Sequence, residues 1–387
     1  MNNELKSQKK PRFKSSTYQA ASVIAPVIYA HFRKFIEATY SSENSTLHPD
    51  QQVIEAIIDT AFWASLRREE GISPRISLAL LPPEQAVNPI VFEHKLALSA
   101  DMLTKIAPGV ERPGIHVGVW FENEEIYVWG TTHNIPDNCL VVDVSEPGLL
   151  VIKHRRKAGF GKFLNIAVLK GDQIKIIDET SAHLPDCPNL LTSLLGFRSE
   201  GQGSVNVLIQ LAVSMRAHNQ GGLLLVVPSG SNGWRESIFQ PMKYSVSPVF
   251  TTLGDLIIQG ESEKNKSPWQ NALAIEISSI AGLTAIDGAT VITDTHELLA
   301  FGTKIIRSPA NQIVGQIITT EPIVGSEALV VNPSTNGGTR HMSAAQFVND
   351  QRDSLALVAS QDGHFTVFTW SPCENMVHAH RIDALLL

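Results

Sequence analysis

The stretch GGTRHMSAAQF, residues 337–347, has the composition of an anion holder. Two glycines lead into Thr339, Arg340 and His341, and an apolar run at helical spacing follows. A Gly-rich approach to a helix start offers backbone N–H groups and the positive end of the helix dipole. Gly338 leaves the main chain open, Thr339 adds a hydroxyl, and Arg340 adds a planar fork suited to phosphate oxygens. His341 is either a structural hydrogen-bonding group or part of the hold. A second group is Asp287–Gly288–Ala289. A carboxylate where a helix gives way to a strand can bind a metal ion or accept a proton. Gly288 beside it lets a ligand approach the backbone. Taken singly, Asp-Gly is an ordinary turn and Gly-Gly an ordinary helix approach.

The elements that must position these residues follow from periodicity. VNVLIQLAVSMRAH (205–218) reads as an amphipathic helix, Gly221 and Gly222 end it, and LLLVVP follows as a buried strand. SGSNGWRE (229–236) reads as a loop, with Trp234 packing at the edge of a pocket, and leads to a helix near 249–259. Residues 260–270 read as an exposed polar insertion, and 271–281 as a helix. Then come the hairpin ATVIT-DTHE-LLAFGTKI, the extended GSEALVVNPSTN, the Gly-Gly stretch with its helix, and the final hairpin SLALVAS-QDG-HFTVFTW.

The first half holds a helix after Pro49, with Val53, Ile54, Ile57, Ile58, Ala61 and Phe62 on one face. RISLALLPP reads as a strand, HVGVWFENEEIYVWGTTH as a hairpin, and 149–153, 164–171 and 173–178 as further strands. Between about 183 and 204 periodicity fades, which places a domain boundary there. The domains expected are a basic tail over 1–20, an N-terminal α/β domain over 21–190, and a C-terminal mixed-sheet domain flanked by helices over 205–387. The halves read alike at three places: LALLPP with LLLVVPS, EEIYVWGT with HELLAFGT, and LNIAVLKGDQIKII with LALVASQDGHFTVF. A degenerate duplication and two unrelated α/β domains both fit, because apolar strands are common. Under duplication, Ile115 falls at the place of Asp287. The basic run 153–162 reads as a solvated loop or as an anion site for a regulatory ligand.

Bulk properties narrow the classes. The 387 residues allow two cores, and 43 % apolar with 18 % charged residues is an ordinary globular composition. A net charge of −7 speaks against a general hold on nucleic acid. Cys139, Cys187 and Cys373 form no CxxC pair, so reduced thiols and a cytoplasmic protein are expected. No apolar run reaches the ~20 residues needed to cross a bilayer, and the basic N-terminus has no apolar core of a signal peptide.

DGA, a hairpin, TRH-x-x-AA, a strand and SQDG, preceded by a helix and GGLLLVVPSG, together resemble the diadenylate cyclase domain over roughly residues 205–370. The resemblance implies that each domain binds one ATP and that two domains face each other in a homo-oligomer. The products are cyclic di-AMP and two pyrophosphates. It implies that Asp287 is catalytic and binds a divalent ion, Mg²⁺ or Mn²⁺. It also implies that Gly288, Ala289, Gly338, Thr339, Arg340, His341, Ser360 and Gln361 bind the nucleotide, with the N-terminal domain as a regulatory sensor. The chain departs from the family pattern twice. Met342 stands where the family usually has a second arginine, and Gln361 where it has glutamate, with Asp362 next to it. Losing one cationic donor of several costs about 2–4 kcal/mol of transition-state stabilisation. The readings are therefore an active cyclase, favoured by the retained Asp287, a nucleotide sensor without turnover, or a scaffold.

Overall fold

The computed structural model describes residues 16–39, 50–112, 114–122, 125–155, 163–178, 206–259 and 267–387. It divides into two compact units, Met1–Ile176 and Ile177–Leu387. The boundary expected over 183–204 lies outside the described residues.

The first unit begins with α1 (Gln19–Thr39), for which periodicity gave no expectation. Residues 16–18, read as part of a tail, are docked. Ser16 Oγ and the backbone N–H groups of Thr17 and Tyr18 all donate to Asp59 Oδ1, at 2.7–2.9 Å. Next, α2 (Gln51–Ser65) starts where Asp50 accepts from the N–H of Gln52. Its predicted face is buried through Val53, Ile54, Ile57, Ile58 and Ala61, while Phe62 stacks on Tyr18. The strand β1 (Ile76–Leu80) is followed by β2 (Ile90–Ala97), α3 (Ala100–Val110), β3 (His116–Glu122) and β4 (Glu125–Thr132). Then come β5 (Leu140–Glu146), β6 (Leu149–Arg155), β7 (Phe163–Lys170) and β8 (Gln173–Ile176). The sheet order is β2-β4-β3-β1-β5-β6-β7-β8, with β1 and β3 parallel and the other neighbours antiparallel. Helix residues such as Ile24, Ile54 and Leu103 pack on one sheet face against Ile76, Leu78 and Leu80. Side chains of Ala79, Leu81, Trp129 and Val141 form a second cluster, as strand alternation requires.

In the second unit α4 (Val207–Ala217) is capped by Asn206, whose side chain accepts from the N–H of Ile209 at 3.0 Å. The fully buried β9 (Gly222–Val227) follows, then β10 (Tyr244–Phe250) and α5 (Thr252–Ile258). The helix expected from 249 thus starts at 252, because 244–250 is an edge strand. Of the stretch read as an exposed insertion, 260–266 lies outside the described residues, and 267–270 opens α6 (Ser267–Leu283). The hairpin β11 (Ala289–Thr293) and β12 (Leu298–Thr303) leads to β13 (Ile317–Thr320), β14 (Leu329–Val331) and α7 (Thr339–Asp350). The chain closes with β15 (Leu355–Ala359), β16 (Phe365–Ser371) and β17 (Met376–Arg381). The order is β10-β12-β11-β9-β15-β16-β17-β13-β14. The pairs β9–β11 and β13–β17 are parallel. Both units are mixed sheets flanked by helices, the α+β class expected from the sequence.

Trp234, read as a pocket-edge residue, is a core residue, 2 % exposed among Leu223, Ile238 and Phe347. Cys139 is a buried free thiol that burial pushes up to about 12. Cys373 is disulfide-bonded, against the expectation of three reduced thiols.

Candidate functional site

The second unit contains a cavity of about 1000 Å³. Three separated segments line it, and each reaches it at the end of a regular element. The first is Asp287, Gly288 and Ala289, between α6 and β11. The second is Gly338, Thr339, Arg340 and His341, where α7 begins. The third is Ser360 and Gln361, just after β15. All nine residues singled out from the sequence are thereby brought together.

Local geometry explains the residue types. Gly288 has φ of +112°, and a Cβ there would lie 2.6 Å from the Gly302 carbonyl carbon. Only glycine lets the Asp287 turn cross the β12 backbone so closely. Gly338 is the N-cap of α7 and has no side-chain capping bond. The first-turn N–H groups at Thr339 and Arg340 are thus left for a ligand. His341 is 5 % exposed. Its Nε2 lies 3.4 Å from Thr366 Oγ1 and its ring stands edge-on to Phe368. Burial pushes His341 down to about 4, against an opposing pull from Asp362. At neutral pH it is an uncharged hydrogen-bonding group, not a cation. The Arg340 guanidinium and the Gln361 side chain both lie against Gly221. The exposed Gln361 amide donates to the Gln220 carbonyl at 3.4 Å. Met342 is half-exposed and is not part of the lining.

Among the lining residues that escaped the sequence reading are Lys304, Asn336, His364 and Arg381. The buried Ser360 hydroxyl and Asn336 amide nitrogen have no partner among the described residues. Such atoms are costly to leave unmet and mark places where a polar ligand fits. No group of three or more His, Cys, Asp or Glu suited to a metal occurs among the described residues. A cation here would need ligand oxygens as well as Asp287.

In the first unit a polar network occupies the sheet. Ser77 Oγ donates to Asp143 Oδ1 at 2.6 Å and meets His116 Nδ1 at 2.7 Å. Lys153 pairs with Asp143 and stands 4.6 Å over the Phe163 ring. Burial pushes His116 down to about 4. Lys153 and Arg155, read as the start of a solvated loop, are β6 residues engaged with Asp143 and Asp137. The rest of that basic run, 156–162, lies outside the described residues.

Residues 43–133 match the family described as the probable sensor domain DACNV. No curated protein matches the chain. Among solved structures, it is similar to a hypothetical membrane spanning protein from Bacillus cereus, with 15 % identity and a TM-score of 0.27. That match covers 48 % of this chain and 66 % of the other, just short of two thirds. It is also similar to a double mutant of DacA from Staphylococcus aureus, with 15 % identity and a TM-score of 0.23, over 45 % of this chain and 83 % of that one. Among the described residues no helix is long and apolar enough to cross a membrane.

Proposed function

We propose that the second unit is a diadenylate cyclase and that the first unit regulates it. The observation that carries this is the convergence of three distant segments, Asp287–Ala289, Gly338–His341 and Ser360–Gln361, on one cavity. The match of 43–133 to a probable sensor domain supports a regulatory first unit. The α7 start, Arg340 and Thr339 hold the triphosphate, while Asp287 accepts the proton of a ribose 3′-hydroxyl. That oxygen attacks the α-phosphate of a second ATP and pyrophosphate leaves. The same step on the other ATP closes the ring, giving cyclic di-AMP and two pyrophosphates. Asp287 would hold a Mg²⁺ or Mn²⁺ ion, since such ions bind through one or two carboxylates plus substrate. The ion's contribution is neutralisation of charge on the phosphates.

Each cavity holds one ATP, so the reaction requires two copies of the chain with their cavities face to face. The contact has to open for product release, which calls for a modest polar interface in a two-fold assembly. A second reading, a nucleotide sensor without turnover, is favoured by the uncharged Gln361 amide, which is held by the Gln220 carbonyl. The test is the full chain with ATP and Mn²⁺ or Mg²⁺, products resolved by mass. Cyclic di-AMP supports the cyclase. Thermal stabilisation by ATP with no product selects the sensor, and neither result leaves the scaffold.

A further inference from the structure

The cavity contains a cation that neither the helix nor the turns supply. Arg381 is the last residue of β17, paired across the sheet with Thr366, whose hydroxyl faces His341. It lines the cavity and its side chain is 31 % exposed.

Two neighbours fix its guanidinium. Nη2 lies 3.1 Å from His364 Nδ1, and Nε lies 4.0 Å from Asp383 Oδ1. A guanidinium nitrogen only donates, so His364 accepts at Nδ1 and carries its ring proton on Nε2. That places the Nε2–H near Asp362, whose Oδ2 is 3.9 Å away. Asp383 Oδ2 also lies 3.5 Å from His364 Nδ1. These contacts use a minority of the five guanidinium N–H groups, which leaves a planar fork with donors to spare. Asp383 sits behind with its side chain only 12 % exposed and is too enclosed to be a ligand contact itself.

The charges facing the cavity are Lys304, Arg340 and Arg381 against Asp287 and Asp362. Without Arg381 they balance. A triphosphate with one divalent ion still carries net negative charge, so a balanced cavity would hold it poorly. Met342 contributes no charge and lies outside the lining. The fork at Arg381 provides the surplus from the sheet.

We propose that Arg381 is a phosphate-binding residue of the cavity, with His364 and Asp383 as its positioning residues. The proposal deepens the nucleotide reading of this cavity and rests on it.

The test titrates ATP with Mn²⁺, and adenosine separately, onto the full chain as wild type, Arg381→Met and Arg381→Lys. A charge-assisted contact of this kind predicts about a 10- to 100-fold loss of ATP affinity in Arg381→Met. Adenosine affinity stays within about twofold, since it has no phosphate. Arg381→Lys keeps the charge without the fork, and falls between the two. If Arg381→Met lowers the melting temperature, the Lys variant decides by the same ATP-to-adenosine ratio. Unchanged ATP affinity, or equal losses for ATP and adenosine, overturns the proposal and assigns Arg381 a structural role. A wild-type chain that binds no ATP overturns the nucleotide reading itself. ATP binding without cyclic di-AMP formation removes only the cyclase step and leaves the Arg381 result to stand alone.

Discussion

Seven strands run in the same order and sense in the two units. The first unit reads β2-β4-β3-β1-β5-β6-β7, and the second β10-β12-β11-β9-β15-β16-β17. The parallel pair falls at the same place, β1–β3 in one and β9–β11 in the other. They part after the hairpin. In the first unit the chain goes from Thr132 to Leu140 and re-enters the sheet. In the second, Thr303 and Leu355 are separated by β13 and β14, which extend the sheet beyond β17, and by α7. That insertion delivers Thr339, Arg340 and His341. The floor differs as well. Ser77 opposes Asp143 as Leu223 opposes Val358, each pair equally far before Pro82 and Pro228. In the second unit these positions line the cavity. In the first they tie up a partly buried network. Val117 opposes Thr131 as Ala289 opposes Thr303, which sets Ile115 at the place of Asp287. A shared sheet therefore does not make a cavity. What sets the second unit apart is an inserted segment, the Asp287 carboxylate and an open floor.

The comparison breaks most visibly at Asp287. Asp287→Asn keeps shape and hydrogen bonding but not the base, so cyclic di-AMP formation should fall by about 10²–10⁴-fold, with unchanged melting. Mass-resolved product from Asp287→Asn at the wild-type rate would mean that the two units differ for another reason.

Acid should separate the units next. Burial pushes His378 down to about 3 and His341 to about 4 in the second unit, and His116 to about 4 in the first, all from 6.5. These rings are neutral when folded, so the unfolded chain takes up protons first. Stability from them is complete above about pH 6.5 and falls as pH drops from there towards 4. With two such groups, the second unit should lose more. Calorimetry of the full chain between pH 7.5 and 5 checks this. His378→Gln should flatten the second unit's profile and leave the first unit's unchanged.

Lys153→Met asks whether the network in the first unit is structural. Asp143 loses its partner in a mostly enclosed site, and the first unit should lose about 1–2 kcal/mol, less than a fully buried pair would. ATP affinity should not move. A drop in ATP affinity with unaltered stability would show that the network serves the nucleotide.

The smallest effect is expected at Met342→Arg. The side chain is half-exposed and outside the lining, so ATP affinity should change by less than about twofold, within the range of exposed charge contacts. A large gain in turnover at high protein concentration would place position 342 against the nucleotide of a facing copy.

Much of the site was legible because its residues sit at punctuation. Asp-Gly before a strand and Gly-Gly before a helix are local signals, and all nine residues reached one cavity. Arg381 was not legible. It belongs to β17, whose buried face carries His378 and His380, and polar residues there hide the strand pattern. Helix α1 was hidden behind a charged stretch and by Pro26, which lies within the helix and reads as a breaker. The likeness of the halves was readable at the first strand and the hairpin. The third match was misassigned. Sheet position equates β5 and β6 with β15 and β16, whereas the sequence comparison had used β7 and β8. Apolar strands around a glycine turn are too alike to register by eye.

Helix α7 starts on a glycine that no side chain caps, and a Cβ at Gly338 would meet nothing within 4 Å. Sterically a serine or aspartate would fit there and would steady the helix by about 1 kcal/mol. The chain forgoes that stability, and on the nucleotide reading proposed above the anion would complete the helix. Occupancy and folding of the second unit then become one linked equilibrium, in which the unit's persistence grows with the logarithm of nucleotide concentration above its dissociation constant. On the proposed reading, the ligand-free unit would be less stable by the missing cap, and nucleotide would restore that margin.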